Sequence, residues 1–296
     1  MVGSMIDKLE MLIALSRERH FGRAAEVCHV TQPTLSSAIK ALEETLGVQL
    51  VMRGARYIGL TPEGERVLAR AKSIVAEARA MKSDVATARD GLAGTLRLGV
   101  IPTALASVHD YTRPFLARNP GVRLRVVSLN SHEILERLVD FEVDAGLSYA
   151  AADMAHDTPP GFEVYSLYSE TYALVTRPAA DLPKTMDWSQ LDRFELGLLT
   201  PDMQNRRILD RHLALAGVSV TPRIESNSIV ALIGHVGEGN AATILPQRTA
   251  AFFAEGRGLA CIPLSRLKEA ATDVAFILPP VGRRTLLLDA FVQSLA

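Results

Sequence analysis

The sequence predicts an α/β protein that carries a mainly helical N-terminal region. Residues 21–53 show the pattern of two short helices that meet at a tight turn. Residues 67–85 carry an apolar stripe with heptad spacing, which is typical of one long helix. After residue 91, strand and helix patterns alternate in two successive series, which predicts a C-terminal domain of two α/β lobes.

Length and composition agree with a globular protein of several domains. The 296 residues are enough for two or three hydrophobic cores, and the chain is 48% hydrophobic and 22% charged. Its net charge is −1, with 13 Lys and Arg against 11 Asp and Glu in residues 1–90 and 19 against 22 in residues 91–296. Binding of nucleic acid must therefore depend on local placement of basic groups.

Cysteine usage and hydropathy indicate the compartment. Cys28 and Cys261 are far apart in sequence, so neither a disulfide framework nor a zinc site is expected. The N-terminus shows no signal-peptide pattern, and no apolar run is long enough for a membrane span. We expect a cytoplasmic protein without membrane contact.

The helix-turn-helix pattern begins with a helix over residues 6–17 and continues from residue 21. Ala24 and Ala25 are small enough for close helix contact, Thr31 stands where an N-cap belongs, and Pro33 follows in the first turn. Gly47 follows the last apolar position and predicts the end of the helix. Between them one apolar face recurs at spacings of four, three and four, formed by Leu35, Ile39, Leu42 and Leu46.

The opposite face of this helix is polar, short-chained and almost uncharged, which suits a DNA major groove. Gln32 can present a donor and an acceptor to adenine, and Ser or Thr can serve several base edges. The alternative is an ordinary solvated helix surface. The residues expected to contact DNA from this helix are Thr31, Gln32, Pro33, Thr34, Ser36, Ser37 and Lys40.

These residues resemble the N-terminal domain of LysR-type transcriptional regulators. The similarity lies in Ala24-Ala25, in the segment VTQPTLS of residues 30–36, in Ile39, Leu42-Glu43, Leu46-Gly47, Leu50 and Arg53, and in LTPEG of residues 60–64. The sequence departs from the family at Cys28 and Val51, where Leu and Phe are usual. Both changes are apolar, so the fold should tolerate them. The resemblance covers the whole chain in layout, with its specific motifs mostly in the first 65 residues.

Residues 48–60 are expected to form a short two-stranded wing that completes a winged helix-turn-helix domain of residues 1–61. Arg53 and Arg56 flank Gly54 in this wing. Given the resemblance, we expect Arg53 to contact phosphate and Arg56 to lie near a minor groove. The alternative is that both are solvated surface arginines.

The helix of residues 62–90 is expected to mediate dimerisation. Its stripe is small and apolar, and no helix close in sequence is available to bury it, although such a stripe can also be a core face. The resemblance implies dimerisation through this linker helix, giving a dimer or a homotetramer built as a dimer of dimers. The stripe consists of Val67, Ala71, Ile74, Ala78, Met81 and Val85.

Residues 91–296 are expected to form two lobes with mainly parallel sheets, each with helices on both faces. Lobe 1 would comprise residues 94–163 and 268–296, and lobe 2 residues 164–267. Two sequential α/β units with a late return resemble the periplasmic-binding-protein architecture of LysR-type effector domains. Residues 236–246 are especially similar to the second lobe of that family.

An effector site is expected where the strands end, because ligands of open α/β sheets bind beyond the carboxyl ends of their strands. Several of these residues stand at helix starts, which attract anions, so a small anionic metabolite is the expected effector. Each polar residue could instead merely cap its helix, and Arg206 and Arg207 could either neutralise the ligand or be exposed. The candidate residues are Pro102, Thr103, Asn130, Ser131, Ser148, Thr200 and Asn227.

Other chemistry is not indicated. The sequence has no HExxH motif, paired-cysteine spacing, GxSxG elbow or GxGxxG after a strand, so we expect no metal, no cofactor and no enzymatic activity. Residues 19–36 and 101–103 look close to the peroxide-sensing branch of the family, whose switch requires two cysteines in the second lobe. The corresponding loop, residues 200–207, has Met203 and no cysteine, so an intramolecular disulfide switch is not expected.

The sequence therefore predicts a DNA-binding transcriptional regulator that binds double-stranded DNA, a small-molecule effector and further copies of itself. One alternative is a small-molecule binding protein that uses its N-terminal domain only to dimerise. The other is an enzyme on the two-lobed scaffold.

Overall fold

The computed structural model describes residues 4–52, 57–150, 159–265, 267 and 272–295. Two compact units are present: Met1–Gly91 with Thr285–Leu287, and Leu92–Arg284 with Leu288–Ala296. The first is the helical unit and the second holds two five-stranded sheets. The predicted N-terminal helix-turn-helix, long linker helix and two-lobed α/β domain are thereby confirmed.

The helices of the first unit are α1 (Met5–Glu18), α2 (Phe21–Val27), α3 (Gln32–Leu46) and α4 (Pro62–Asp90). Local sequence explains their ends. Ser4 and Asp7 form a reciprocal capping box at the start of α1. Thr31 caps α3, and α3 stops at Gly47 in the left-handed conformation, with φ of 70°. Both α3 signals were predicted from the sequence.

The core of the first unit is built from α1, α2, α3 and the beginning of α4. Leu12, Leu15, Leu35 and Leu42 are completely buried there. Helix α4 contributes one apolar face to the same cluster, formed by Leu68, Ala71 and Val75. An ion pair of 2.8 Å between Arg79 of α4 and Glu10 of α1 extends this contact.

This packing corrects the prediction for the linker stripe. Ala71 is completely buried in the core of its own chain, and Val67 packs against the same cluster, because α1 lies beside the first half of α4. Ala71 is therefore not available to a partner helix. The later positions differ: Ala78 is half-buried, while Ile74, Met81 and Val85 are 49%, 63% and 66% exposed.

The segment between α3 and α4 is fastened to the start of α4. Val51 and Leu60 form an antiparallel bridge, and Met52 N donates to Gly59 O at 3.0 Å. The hydroxyl of Thr61, the N-cap of α4, donates to the carbonyl oxygen of Gln49 at 2.6 Å. A Cβ on Gly64 would lie 2.1 Å from the carbonyl oxygen of Leu50, so only glycine allows this approach. Arg53 and Arg56 lie outside the described residues.

Ten strands lie in the described part of the second unit. They are β1 (Ala93–Val100), β2 (Gly121–Ser128), β3 (Ala145–Tyr149), β4 (Glu163–Ser169), β5 (Tyr172–Thr176), β6 (Leu196–Leu199), β7 (Ile224–Ser226), β8 (Ala242–Pro246), β9 (Ala260–Pro263) and β10 (Asp273–Leu278). The first sheet has the order β2-β1-β3-β10-β4 and the second β7-β6-β8-β5-β9. Three neighbouring strands are parallel in each sheet, and one strand is reversed, β10 in the first and β5 in the second.

The helices of this unit are α5 (Val108–Arg118), α6 (Ser131–Val139), α7 (Gln204–Leu215), α8 (Ile229–Gly237), α9 (Gln247–Ala254) and α10 (Leu286–Gln293). Their apolar faces pack on the sheets, as Ile134 of α6 and Leu232 of α8 show. Among the described residues, no helix combines the length and apolar character that crossing a membrane requires.

The boundary between the lobes differs from the prediction. Strand β4 pairs with β10 in the first sheet, so lobe 1 includes Ser169 and the first crossing to lobe 2 is Glu170 and Thr171. The predicted boundary at residue 164 is wrong because β4, at the edge of the first sheet, was not recognised as a strand of lobe 1. Its half-exposed, mixed sequence EVYSLYS lacks a clear strand alternation. Helix α9 and strand β9 also had no predicted counterpart.

Candidate functional site

The first candidate site is the exposed face of α3. The N-cap hydroxyl of Thr31 accepts from Thr34 N at 3.4 Å and lies 2.8 Å from the Thr34 hydroxyl. The two hydroxyls are thus hydrogen-bonded to each other at the start of the helix, and Pro33 occupies the first turn. Leu35, Ala38, Ile39 and Leu42 face the core, and every candidate side chain of α3 is exposed: Thr31, Gln32, Pro33, Thr34, Ser36, Ser37 and Lys40.

Charge on this face is small. Lys40 lies 3.9 Å from Glu44, four residues on, and both are largely exposed, so the pair is weak. The face offers an amide and several hydroxyls from the first two turns of the helix. Groups of this kind form hydrogen bonds with base edges when the N-terminal part of a helix enters the major groove.

Helix α2 has an N-cap that was not predicted. The Nδ1 atom of His20 accepts hydrogen bonds from Gly22 N at 3.1 Å and Arg23 N at 3.3 Å. Histidine is not among the usual N-cap residues, so the sequence carried no signal for this role. His20 thereby fixes the start of the helix that supports α3.

The second candidate site is a cavity in the α/β unit, between strand ends of the first sheet and the start of α7 in the second lobe. It is small, with room for about one water molecule. Its lining comes from the segments that follow β1 and β2, from the end of β3 and from the start of α7, namely Ile101, Pro102, Thr103, Asn130, Ser131, Tyr149, Met203, Gln204 and Asn205.

A buried hydrogen-bond network joins the two lobes at this cavity. The Tyr149 hydroxyl lies 2.8 Å from the Thr103 hydroxyl and accepts from Asn205 Nδ2 at 2.8 Å. Asn205 also donates to the Tyr172 hydroxyl at 3.2 Å. Burial raises the pKa of Tyr149 and of Tyr172 well above the ordinary range, so both phenols remain neutral donors and acceptors.

The first-lobe candidates meet at this cavity, as the rule for strand ends predicts. Pro102, Thr103, Asn130 and Ser131 all line it. Ser148 lies behind Ser131, to which it donates a buried hydrogen bond of 3.0 Å. Asn130 also caps α6, because its Oδ1 accepts from Glu133 N at 2.9 Å. The capping interpretation and the cavity placement therefore both hold for Asn130, while its role toward an effector remains a prediction.

The second-lobe candidates are placed differently. Thr200 and Asn227 do not belong to the cavity lining, and Asn227 is exposed. The Thr200 hydroxyl is buried and, within the described part of the chain, has no hydrogen-bond partner. Met203, Gln204 and Asn205, which follow Thr200 in sequence, are the residues that reach the cavity.

Arg206 is already neutralised by its own lobe. Its guanidinium donates to Glu225 Oε1 and to the carbonyl oxygen of Leu199, both at 2.7 Å, and to Asp210 at 2.8 Å. Burial lowers the pKa of Arg206, but the bonds with Glu225 and Asp210 outweigh that effect and raise it. The suggestion that Arg206 neutralises a ligand is therefore wrong, and Arg207 is exposed.

The starts of α6 and α7 differ in charge. Asn130 and Glu133 form a reciprocal capping box, which places a carboxylate on the first turn of α6. Helix α7 starts after Met203 with no side-chain cap and no acidic residue in its first turn. The partial positive charge of its N–H groups is therefore less compensated.

Comparison with known proteins assigns both units. The profile described as "Bacterial regulatory helix-turn-helix protein, lysR family" matches residues 6–65, and the profile "LysR substrate binding domain" matches residues 89–296. The chain belongs to the LysR family. Its exposed α3 is thus the helix of a LysR DNA-binding domain, and its two-lobed unit is the LysR effector-binding domain.

Within the LysR family, several similar proteins are named for a response to peroxide. A "Probable hydrogen peroxide-inducible genes activator" of Mycobacterium xenopi is 35% identical over 175 residues, covering 59% of this chain and 90% of that protein. The "Hydrogen peroxide-inducible genes activator" of Pectobacterium carotovorum is 26% identical over 277 residues, covering 87% and 85%.

Solved LysR structures support the same architecture. A full-length OxyR variant from Pseudomonas aeruginosa superposes with a TM-score of 0.72 at 25% identity, covering 99% of this chain and 95% of that one. The LysR-family protein CbnR in complex with its target DNA has a TM-score of 0.69 at 22% identity and covers 99% of both chains. The second likeness shows the fold alone.

Proposed function

We propose that this LysR-type regulator reads its operator through the first two turns of α3. The supporting observation is the division of α3 into a face whose Leu35, Ile39 and Leu42 side chains are buried and an exposed face of amide and hydroxyl groups. Gln32 would form a bidentate pair with a base, and the serines and threonines would contact base edges or phosphates. Arg53 and Arg56 are proposed to contact the DNA backbone from the wing.

We propose a small anionic molecule as the effector, bound where the two lobes meet. The uncapped start of α7 reaches the cavity through Met203, Gln204 and Asn205, and the nearby Thr200 hydroxyl is buried without a partner in the described structure. An acidic group at this end of α7 would accept hydrogen bonds from free N–H groups. Because the cavity has room for about one water molecule, a ligand that contacts Thr103, Asn130, Ser131 and Tyr149 would have to separate the two lobes there.

The names of the relatives raise peroxide as an alternative signal. A disulfide switch inside the effector domain needs two cysteines, and residues 92–296 contain only Cys261. Cys28 belongs to the helical unit. We therefore propose that a reversibly bound ligand, and not an intramolecular disulfide, controls this protein.

The proposal also includes the oligomeric state of the protein, its location in the cell and its lack of enzymatic activity. The exposed apolar side chains of Ile74, Met81 and Val85 support a contact between the linker helices of two subunits. The oligomer would be a dimer or a dimer of dimers. As a regulator of bacterial genes it would act in the cytoplasm, and it would have no enzymatic activity of its own.

The direct test begins with selection of duplex DNA by the full-length protein from a random pool. Binding of the selected sequence is then measured with and without a panel of small carboxylates, matched neutral amides and hydrogen peroxide. The proposal expects sequence-specific binding that one or more carboxylates alter and the matching amides do not. A response to peroxide alone would contradict the proposed effector class, and absence of any sequence preference would contradict DNA reading by α3.

A further inference from the structure

A buried carboxylic acid lies where the chain first crosses from lobe 1 to lobe 2. Glu170 and Thr171 form this crossing, between β4 and β5. Glu170 N donates to the carbonyl oxygen of Thr272, directly before β10, at 2.7 Å. Gln247 N, at the start of α9, donates to the carbonyl oxygen of Thr171, also at 2.7 Å. The crossing is therefore fastened to both sheets.

Glu170 is only 9% exposed as a residue and forms no ion pair with any described residue. Arg248 of α9 is the cation that faces it. That guanidinium is shared, because it lies 3.4 Å from Asp110 of α5 and 4.3 Å from the centre of the Tyr168 ring. Within the described part of the chain, phenols from α5, β3, β4 and β5 also interact with Glu170, namely Tyr111, Tyr149, Tyr168 and Tyr172.

This environment favours the neutral acid. Burial raises the pKa of Glu170 from 4.5 to about 8, and the opposing influence of Arg248 and of a backbone hydrogen bond from Thr171 is smaller. Burial raises the pKa of Tyr168 to about 12, so this phenol remains protonated when Glu170 titrates.

Arg248 and its neighbour Thr249 both take part in contacts between the lobes. Besides the Arg248–Asp110 pair, the Thr249 hydroxyl donates to the carbonyl oxygen of Thr103, so the first turn of α9 in lobe 2 rests on lobe 1. Movement of α9 away from lobe 1 would remove Arg248 from Asp110 and admit water to Glu170. We propose that Glu170 is a proton-operated switch that couples the arrangement of the two lobes to pH.

The sign of the coupling follows from linkage. In the closed arrangement the Glu170 pKa is about 8, and in an open, hydrated arrangement it returns toward 4.5, so closing takes up one proton between these limits. The open form is favoured as pH rises, by up to tenfold per pH unit, and the gain levels off above about pH 8. Protonation of Glu170 also stabilises the folded protein, because its pKa is higher in the folded than in the unfolded state. This stabilisation is complete below about pH 4.5 and is lost as pH rises through 8.

The experiment compares the full-length wild type with Glu170→Gln, which keeps the shape and removes the titration. Hydrogen exchange is followed by mass spectrometry from pH 6 to 9 in peptides that contain residues 165–175 and 244–252. Intrinsic exchange is the same for corresponding amides at equal pH away from the substituted residue. The ratio of the wild-type rate to the Glu170→Gln rate should therefore rise by up to tenfold per pH unit up to about pH 8 and then become constant.

Glu238→Gln is the matched control, because Glu238 is an exposed glutamate at the end of α8, and it should follow the wild type at every pH. Carbon-13 NMR of glutamate carboxyl groups gives an independent reading, with one resonance that titrates near pH 8 in the wild type and is missing in Glu170→Gln. A pH-independent ratio of exchange rates, or titration of every glutamate below pH 6, would overturn the proposal. Neither measurement requires DNA or an effector, so its result is separate from the proposed function.

Discussion

Gln32 offers the most specific residue-level test of DNA reading. It is exposed in the first turn of α3. Gln32→Ala should weaken binding to the selected operator by about 1–3 kcal/mol and relax the preference at one base position. Fluorescence anisotropy at fixed salt against the operator and its single-base variants measures both effects.

Thr45→Ala is the control for Gln32→Ala. Thr45 is exposed at the other end of the same helix and is also uncharged, so its removal should leave operator preference unchanged. Unchanged affinity and preference in Gln32→Ala would show that Gln32 does not read a base.

Two threonines whose hydroxyl groups are buried allow a structural effect to be distinguished from an effect on the effector response. Thr243 is completely buried in β8, and both its hydroxyl and that of Thr200 lack a partner within the described chain. Replacing either with Val removes an unsatisfied hydroxyl and keeps the shape, which should stabilise the fold by about 1 kcal/mol. Only Thr200→Val should also impair the response of operator binding to the effector. Equal effector responses in the two variants would place Thr200 outside the effector site.

Some of the residues that line the cavity were predicted from the sequence. Thr103 and Ser131 follow strands, so the strand-end rule selected them before their surroundings were visible. Tyr149 and Asn205 were missed because their roles depend on a hydrogen bond between segments 56 residues apart, and no local pattern encodes such a pairing. Gln204 and Asn205 could have been found by extending the search from Thr200 into the first turn of the next helix.

Helix α2 gives a prediction at the scale of elements, because its N-cap is His20. His20→Ala should destabilise the helical unit by about 0.5–2 kcal/mol and weaken operator binding, since α2 supports α3. His20→Asn supplies another acceptor at the cap and should recover most of both losses. Thermal unfolding and operator titration measure these effects. Equal losses in the two variants would mean that another property of His20 matters.

The exposed half of the linker stripe gives a second prediction for an element. Ile74 is 49% exposed in the single chain, so Ile74→Glu should shift the oligomer toward monomer if a partner helix covers it. Light scattering measures the change. Ala69→Glu adds the same charge to the same helix at an exposed position outside the stripe and should leave the oligomer intact. Retention of the wild-type oligomer in Ile74→Glu would exclude the proposed contact.

Elements with strong local signals were predicted well. Helix α3 has a capping threonine, a proline in its first turn and a terminal glycine, so both ends were foreseen. The linker stripe was predicted less well. Heptad spacing is the same for a residue that packs within its own chain, such as Ala71, and for a residue that packs against another subunit. Which neighbour buries an apolar face is decided by tertiary structure.

At the scale of the whole molecule, the alternation of strands and helices was sufficient to predict two lobes. It was not sufficient to place the crossing between them. Glu170 and Thr171 form that crossing because β4 returns to the first sheet beside β10, and pairing between strands so far apart in sequence has no local signal. The interlobe contacts of Tyr149 with Asn205 and of Asp110 with Arg248 depend on the same long-range arrangement.

The close approach of Gly64 to Leu50 has a consequence for the operator. Together with the hydrogen bond from the Thr61 hydroxyl to Gln49, it fastens Gln49 and Leu50, which follow α3, to the start of the linker helix. In a dimer held by its linker helices, the two α3 helices would then keep a fixed distance and orientation relative to each other. The number of base pairs between half-sites would be set by the way the linkers cross, and operators with one base pair added between the half-sites would be rejected even when both half-sites are intact.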